Sequence, residues 1–181
     1  VGLPTGTAST INNSTEGGGG GTVYTAGDGI TISSTYIRNL LAQGEMDRAV
    51  EFLGHPHVLT DTVAHGRRIG SSTLGFPTVN LHIHPPVIVP AHGVYATRIW
   101  FDGQYHQAVT NVGVRPTVHD SDGKVTVEGF ILDFDGDLYG ESVRIYFIEY
   151  LRDEIVFVGA AELTAQLELD KAKAKSLATE E

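Results

Sequence analysis

The spacing of apolar residues changes several times along the chain. Up to residue 29 large apolar side chains are rare, and glycine, serine, threonine and asparagine dominate. Such a segment buries too little surface to offset the entropy of ordering it. The pattern therefore predicts a disordered leader or linker over residues 1–29.

A helical pattern follows the leader. Apolar residues recur every three or four positions from Ile37 to Leu41, and again from Met46 to Leu53. A serine pair of the N-cap type precedes the first run, Gly44 interrupts the two, and Gly54 ends the second. This order predicts a short helical hairpin over residues 30–54.

Short β-type runs separated by Gly-containing turns occupy the next hundred residues. The runs 94–101 and 104–111 flank Asp102–Gly103, a strong hairpin signal, and Asp-Gly pairs also precede the runs 124–133 and 142–151. Evenly spaced strands of this kind indicate a mainly β fold, either an antiparallel barrel or a sandwich.

The C-terminal stretch returns to helical spacing. Positions 163, 167, 170, 174 and 177 follow a 4-3-4-3 pattern, and three of the five are leucine. Lysines concentrate towards the end of this stretch, where cations suit the helix dipole. We expect one helix whose stripe lies against the β unit, so that residues 55–181 form one domain.

Composition and charge narrow the function classes. The 181 residues carry 12 basic and 22 acidic side chains, a net charge of −10, which argues against nucleic acid as a partner. The chain has no cysteine, which excludes disulfides and thiolate chemistry and agrees with a cytoplasmic protein. Apolar runs are too short to predict a membrane span.

The densest candidate chemistry lies between residues 65 and 80. Gly70 and Gly75 have the GxxxxG spacing, but Phe76–Pro77 follows where a Walker A motif needs lysine and a hydroxyl. The glycine-rich turn can still cradle phosphates with its backbone N–H groups. If the next residues are extended, Thr78 and Asn80 share one face and offer two neutral oxygen ligands for Mg²⁺. The alternative is a simple turn followed by capping side chains.

Glu128 is the candidate general base. Strand alternation gives it the parity of Phe130 and Leu132, and an acid among large apolar neighbours can have a raised pKa. The alternative is a solvated glutamate on an open strand face.

Two further clusters have weaker signals. The acidic run from Asp133 to Asp137 resembles a calcium loop in part, but it lacks the late glutamate and the flanking helices of an EF-hand. It is best interpreted as a turn that places Tyr139 near a ligand. His82 and His84 have the spacing of two ligands on one strand face, and a polar strand face is the simpler explanation.

Several motifs, in the same order along the chain, resemble those of the riboflavin kinase family. The run GFPTVNL from Gly75 to Leu81 resembles the GFPTAN segment of these enzymes, and further matches follow in order at residues 93–96, 111–117, 127–128, 137–140 and 151–157. Residues 32–38 look like the end of the adenylyltransferase module of bacterial bifunctional FAD synthetases. The hairpin over residues 30–54 would then be the tail of an adenylyltransferase module that this chain lacks.

The resemblance implies a six-stranded antiparallel Greek-key β-barrel with a C-terminal helix. It implies transfer of the ATP γ-phosphate to riboflavin, giving FMN and ADP, with Mg²⁺ or another divalent cation. By position, Thr78 and Asn80 would hold the metal and the phosphates, and Glu128 would be the base. Further nucleotide contacts would come from Gly66, Gly70, Gly75 and Tyr139, and flavin contacts from Tyr150 and Arg152.

Two other hypotheses stay open at this stage. The barrel could bind flavin or nucleotide without turnover, as a module of a larger synthetase. Alternatively, the helical hairpin and barrel could serve mainly as an assembly surface. A covalently linked adenylyltransferase module is the expected macromolecular partner, and small molecules are the expected substrates.

Overall fold

The structure is a computed structural model that describes residues 32–64, 78–84, 87–114 and 125–177. The chain divides into two compact units, Val1–Ser33 and Ser34–Glu181, and every element below belongs to the second. The leader predicted over residues 1–29 lies outside the described residues.

Three helices and six strands make up the described part of the second unit. The helices are α1 (Ser34–Ala42), α2 (Met46–Leu53) and α3 (Ala160–Leu177). The strands are β1 (His57–Thr62), β2 (Thr78–His82), β3 (Gly93–Phe101), β4 (Gln104–Val114), β5 (Val125–Ile131) and β6 (Ser142–Arg152).

The strands form one antiparallel sheet in the order β1-β6-β3-β4-β5-β2. Strands β3, β4 and β5 follow one another, and β6 returns beside β3, which is the Greek-key arrangement. Among the described residues, an isolated bridge joins Ala64, two residues beyond the end of β1, to Asn80 of the other edge strand, and the Ala64 N–H donates to the Asn80 carbonyl at 2.8 Å. The sheet is therefore a half-barrel, and the predicted six-stranded antiparallel fold is confirmed.

The hairpin between β3 and β4 shows how local sequence sets the register. Asp102 and Gly103 have φ values of 48° and 77°. Positive φ at both central residues is the requirement of a type I′ turn, whose twist matches that of the flanking strands. The turn pairs Phe101 with Gln104 and fixes the whole β3–β4 ladder back to Gly93.

Each face of the sheet is buried by a different element. One face, the core face, carries the largest fully buried side chains, among them Tyr95, Ile99 and Phe147, and α1 and α2 join it with Leu40, Leu41, Met46 and Ala49. The opposite face, the α3 face, packs Val94, Ala96, Val109, Phe130 and Leu132 against Ala174 of α3. Burial on both faces explains why β3 is buried along most of its length and is largely apolar on both sides.

Both predicted helical segments are helical. Gly44 separates α1 from α2, and Gly54 ends α2 in the left-handed conformation with φ of 74°, as predicted for a helix-terminating glycine. The C-terminal stripe also forms a helix, but its most buried members are Ala174 and the acidic Asp170. Asp170 is buried because it binds an arginine of β6, as described below.

Candidate functional site

A row of polar residues crosses the α3 face of the sheet. Asn80 of β2 pairs with Glu128 of β5, and Glu128 in turn pairs with Asn111 of β4. Residues paired across antiparallel strands point to the same face and lie about 4.5–5.5 Å apart at Cα. The polar row Asn80–Glu128–Asn111 therefore gathers two amides and one carboxylate within two strand spacings.

Thr78 extends this row along β2. The predicted alternation holds, since Val79 and Leu81 are buried on the core face while Thr78 and Asn80 share the α3 face. The Asn80 Nδ2 amide donates to the Thr78 hydroxyl over 3.3 Å, and only 7% of Asn80 is exposed. The two neutral ligand groups predicted for a metal are thus adjacent and held by a buried strand.

Glu128 stands half-buried between apolar neighbours on its own strand. Val127 and Phe130 are 1% and 7% exposed, and the Lys171 ammonium of α3 lies 5.9 Å from the centre of the Phe130 ring. Ala174 of α3 packs against Phe130 on the same face, two residues from Glu128. Glu128 therefore lies at the boundary between the part of this face that α3 covers and the polar row.

A second carboxylate approaches the row from the segment after β6. The Asn111 Nδ2 amide donates to Glu154 Oε1 over 3.0 Å. Gly113 provides the space, because a Cβ there would lie 2.2 Å from the same carboxylate oxygen. Asn111 and Glu154 fell inside matched motifs, but neither was singled out from the sequence. Their proximity depends on strand pairing, which the spacing of residues along the sequence does not reveal.

Tyr139 belongs to a turn beside the edge of this site. Its backbone N–H donates to Asp137 Oδ1 over 2.9 Å, and 52% of the residue is exposed. The next residue, Gly140, donates to the Val63 carbonyl over 3.0 Å, one position before the Ala64–Asn80 bridge. Backbone hydrogen bonds thus connect the Tyr139 turn to the Asn80 end of the polar row.

Tyr150 lies on the core face, away from the polar row. It pairs with Tyr95, and the two rings meet edge to face with centres 5.2 Å apart. Its hydroxyl donates to the Asp153 carboxylate, and burial together with this hydrogen bond raises the pKa of Tyr150 to about 12. Gly44 and Gly93 lie beside the ring, since a Cβ on either would come within 3.3 Å of it, so the helical hairpin adjoins Tyr150.

Arg152 lies on the α3 face, opposite to Tyr150. Its Nε atom donates to both carboxylate oxygens of Asp170 over 3.0 and 3.2 Å, and Nη2 donates over 2.7 Å. Gln166 donates to the same carboxylate over 2.9 Å. These contacts give Arg152 a role in fastening α3 to β6. The structure does not bring the two residues predicted to contact flavin together on one face.

The remaining sequence candidates are distributed as follows. Gly66, Gly70 and Gly75 lie outside the described residues. His82 is the last residue of β2 and His84 follows it, both exposed. Within residues 32–64, 78–84, 87–114 and 125–177, no group of three or more His, Cys, Asp or Glu side chains is placed to hold a metal. Within the same described residues, no helix is long and apolar enough to cross a membrane.

Comparison with known proteins identifies the family. A family model described as "Flavokinase: Riboflavin kinase" matches residues 53–178. Two curated relatives, both named bifunctional riboflavin kinase/FMN adenylyltransferase, come from Listeria monocytogenes and Pseudomonas fluorescens. The first is 38% identical over 140 residues, which cover 77% of this chain and 44% of that protein. The second is 40% identical over 151 residues, 83% of this chain and 48% of that protein. The chain thus spans about half the length of the curated relatives it matches.

Solved structures agree on the fold. A Streptococcus pneumoniae chain titled macrolide-efflux protein superposes with a TM-score of 0.72 at 34% identity, covering 80% of this chain and 46% of that one. A riboflavin kinase from Trypanosoma brucei superposes with a TM-score of 0.52 at 21% identity, covering 70% of this chain and 82% of that one. At 21% identity the second similarity concerns the fold alone.

Proposed function

The chain belongs to the riboflavin kinase family, and from this premise we propose that it transfers the γ-phosphate of ATP to the 5′-hydroxyl of the ribityl chain of riboflavin, giving FMN and ADP. One observation supports this activity most directly. Thr78, Asn80 and Glu128 lie on one face of two paired strands, which gives two neutral oxygen ligands beside one carboxylate.

Thr78 and Asn80 are the proposed ligands of Mg²⁺ or another divalent cation. Hydroxyl and amide oxygens are hard ligands, and Mg²⁺ is commonly held by few protein oxygens together with waters and substrate phosphates. The side chains fit this role because they are adjacent at 3.3 Å and fixed on a strand with buried neighbours. When bound, the ion supplies positive charge that neutralises the phosphates.

Glu128 is the proposed general base. The oxygen of the ribityl 5′-hydroxyl forms a bond to the γ-phosphorus while the bond to the β–γ bridging oxygen breaks and ADP leaves. The hydroxyl proton passes to the Glu128 carboxylate. Phosphoryl transfer depends mainly on positioning and charge neutralisation, and a carboxylate beside a pair of metal ligands contributes to both.

The other proposed nucleotide contacts rest partly on sequence motifs and partly on the structure. Gly66, Gly70 and Gly75 are proposed to line the nucleotide phosphates on motif grounds alone. Tyr139 is proposed to adjoin the nucleotide, supported by its exposed ring and the link between its turn and Asn80.

Flavin contacts by Tyr150 and Arg152 also remain proposals. They have weaker support than the polar row, because the side chains occupy opposite faces of the sheet and each is already engaged by an aspartate.

The cellular setting is also part of the proposal. The names of the relatives include FMN adenylyltransferase, and a linked module with that activity is a proposed partner of these residues. A cytoplasmic location is proposed because the reaction consumes ATP.

The test is direct production of FMN. The protein is incubated with riboflavin, ATP and Mg²⁺, and FMN and ADP are separated by chromatography. We expect Glu128→Gln to lower kcat by about 10²–10⁴-fold, the usual contribution of a general base. Asn80→Ala should raise the Mg²⁺ concentration needed for half-maximal rate. Glu141→Gln is the matched control, because Glu141 is exposed and immediately precedes β6.

The outcomes separate the hypotheses. A folded wild-type protein that forms no FMN, or a Glu128→Gln variant as active as the wild type, contradicts the proposed activity or the proposed base respectively. Quenching of riboflavin fluorescence without product would instead support a flavin-binding module that lacks turnover.

A further inference from the structure

The Glu154 carboxylate is seated against the sheet by two independent features. Asn111 donates its amide hydrogen to Oε1 over 3.0 Å. Gly113, two residues along the same strand, leaves room that any larger side chain would occupy, since a Cβ would lie 2.2 to 2.9 Å from the three atoms of the carboxylate group. The carboxylate is thus held over β4 while the residue as a whole stays exposed.

This seat lies next to the proposed base. Asn111 is the paired neighbour of Glu128 across the β4–β5 ladder, so the two side chains share the α3 face. Neighbouring strands are about 4.8 Å apart, and one hydrogen bond then separates Asn111 from Glu154. Two carboxylates from different parts of the sequence therefore face one region of the surface.

We propose that Glu154, held by Asn111 over Gly113, binds the secondary hydroxyl groups of the ribityl chain and so determines specificity for a flavin that carries a polyol. The inference rests on the proposed kinase function. An ionised carboxylate only accepts hydrogen bonds and can accept several, which suits neighbouring hydroxyl groups.

The distances suit a five-carbon chain. A C–C bond of about 1.5 Å advances an extended chain by about 1.3 Å. The hydroxyl three carbons from the terminal one therefore lies about 4 Å away, a little less than the strand spacing of about 4.8 Å. With the terminal hydroxyl at Glu128, the inner hydroxyls reach the strand that carries Asn111. The Asn111 amide also fixes one carboxylate oxygen, so that less side-chain freedom is lost when substrate binds.

Comparison of two ligands tests the assignment. Riboflavin and lumiflavin share the ring system, but lumiflavin has a methyl group in place of the ribityl chain. Binding of each to the full chain is measured by flavin fluorescence quenching, alongside the KM for riboflavin and kcat. Glu154→Gln and Glu154→Ala are compared with the wild type, with Glu141→Gln as the control and Asn111→Ala as the variant that removes the seat.

Loss of a hydrogen bond to a charged group is expected to weaken riboflavin binding about tenfold or more in Glu154→Ala. Lumiflavin binding should change by less than about twofold, and kcat at saturating riboflavin should stay near that of the wild type. Asn111→Ala should show a smaller loss in the same direction. Equal loss for both flavins, or no loss for either, would overturn the proposal.

The design also separates this proposal from the kinase function. If wild-type protein phosphorylates riboflavin and Glu154→Ala has an unchanged KM, only the role of Glu154 is refuted. If wild-type protein forms no FMN, the kinase proposal itself fails. The melting temperature of every variant is also measured. If Glu154 only anchors the segment after β6, Glu154→Ala will lower the melting temperature and will not discriminate between the two flavins.

Discussion

The ion pair between Arg152 and Asp170 gives the sharpest prediction about stability. Asp170 is 4% exposed and receives three hydrogen bonds from Arg152 and one from Gln166. The Asp170→Ala change leaves the Arg152 guanidinium beside α3 without its carboxylate. We expect α3 to dock less tightly and the whole unit to lose stability.

The magnitude follows from the burial of the pair. Removing one partner of a buried ion pair costs about 3–5 kcal/mol. The Arg152 side chain keeps 18% exposure and recovers some hydration, so we expect about 3 kcal/mol. For a chain of 150–250 residues each kcal/mol shifts Tm by about 2–4 °C, which predicts a fall of about 6–12 °C. Asp170→Asn keeps the shape and one acceptor, and should lose about half as much.

Thermal melting followed by circular dichroism provides the measurement, and the same helix supplies the control. Glu168 pairs with Lys171 at 2.7 Å, but its side chain is 57% exposed. Exposed pairs contribute about 0–1 kcal/mol, so Glu168→Ala should shift Tm by no more than about 4 °C. Equal shifts for Asp170→Ala and Glu168→Ala would refute the reasoning.

A double variant separates attraction from the cost of an unpaired charge. Replacing both partners with apolar residues, as in Arg152→Met with Asp170→Leu, should recover much of the stability lost by Asp170→Ala. The same variants test the flavin contact predicted for Arg152. If that contact exists, Arg152→Met should raise the KM for riboflavin more than Asp170→Ala does at a similar loss of stability.

Three further predictions follow from single residues. Gly93→Ala should cost at least about 2 kcal/mol in urea unfolding, because φ is 147° and the new Cβ would lie 2.5 Å from the Tyr150 ring, whereas Gly103→Ala, with φ of 77° and no atom within 4 Å, should cost about 1 kcal/mol. Leu41→Ala should cost about 2–5 kcal/mol in the same assay, because Leu41 is 3% exposed in the core. Burial lowers the pKa of His57 below 6.5, so the neutral imidazole stabilises the folded state fully above pH 6.5, and this stabilisation is lost as pH falls through the lowered pKa. The fall in Tm from pH 7 to pH 5 should therefore be smaller in His57→Gln than in the wild type. The control His92→Gln, at an exposed site, should behave like the wild type.

The adjacency of the two proposed metal ligands was predictable from sequence because its geometry is local. A strand has a period of two, so Thr78 and Asn80 share a face wherever the strand lies in the fold. Glu128 was accessible by the same parity. Its half-buried environment was not fully predictable, because α3 covers part of that face and comes from a segment about 40 residues further along the chain.

A bulge explains why Tyr150 and Arg152, both expected to contact flavin from the family resemblance, lie on opposite faces of the sheet. Two residues apart on a regular strand, they would share a face. The β3–β6 register shifts between Val94 and Tyr95, so that Val94 pairs with Arg152 while Tyr95 pairs with Tyr150. One extra residue on β6 sends the two side chains to opposite faces. A bulge depends on the partner strand, so spacing along β6 alone does not reveal it.

The helical hairpin changes how the domain boundary is understood. Its motif resembles the tail of an adenylyltransferase module, and that interpretation stays a prediction. In the structure, however, Leu40, Leu41, Met46 and Ala49 are each at most 3% exposed and belong to the same core cluster as the sheet. Removing residues 30–54 would expose this core and the contact of Gly44 with Tyr150. A hairpin used only for assembly could be deleted without loss of kinase activity, whereas one that covers the half-barrel cannot, because each buried leucine contributes about 2–5 kcal/mol.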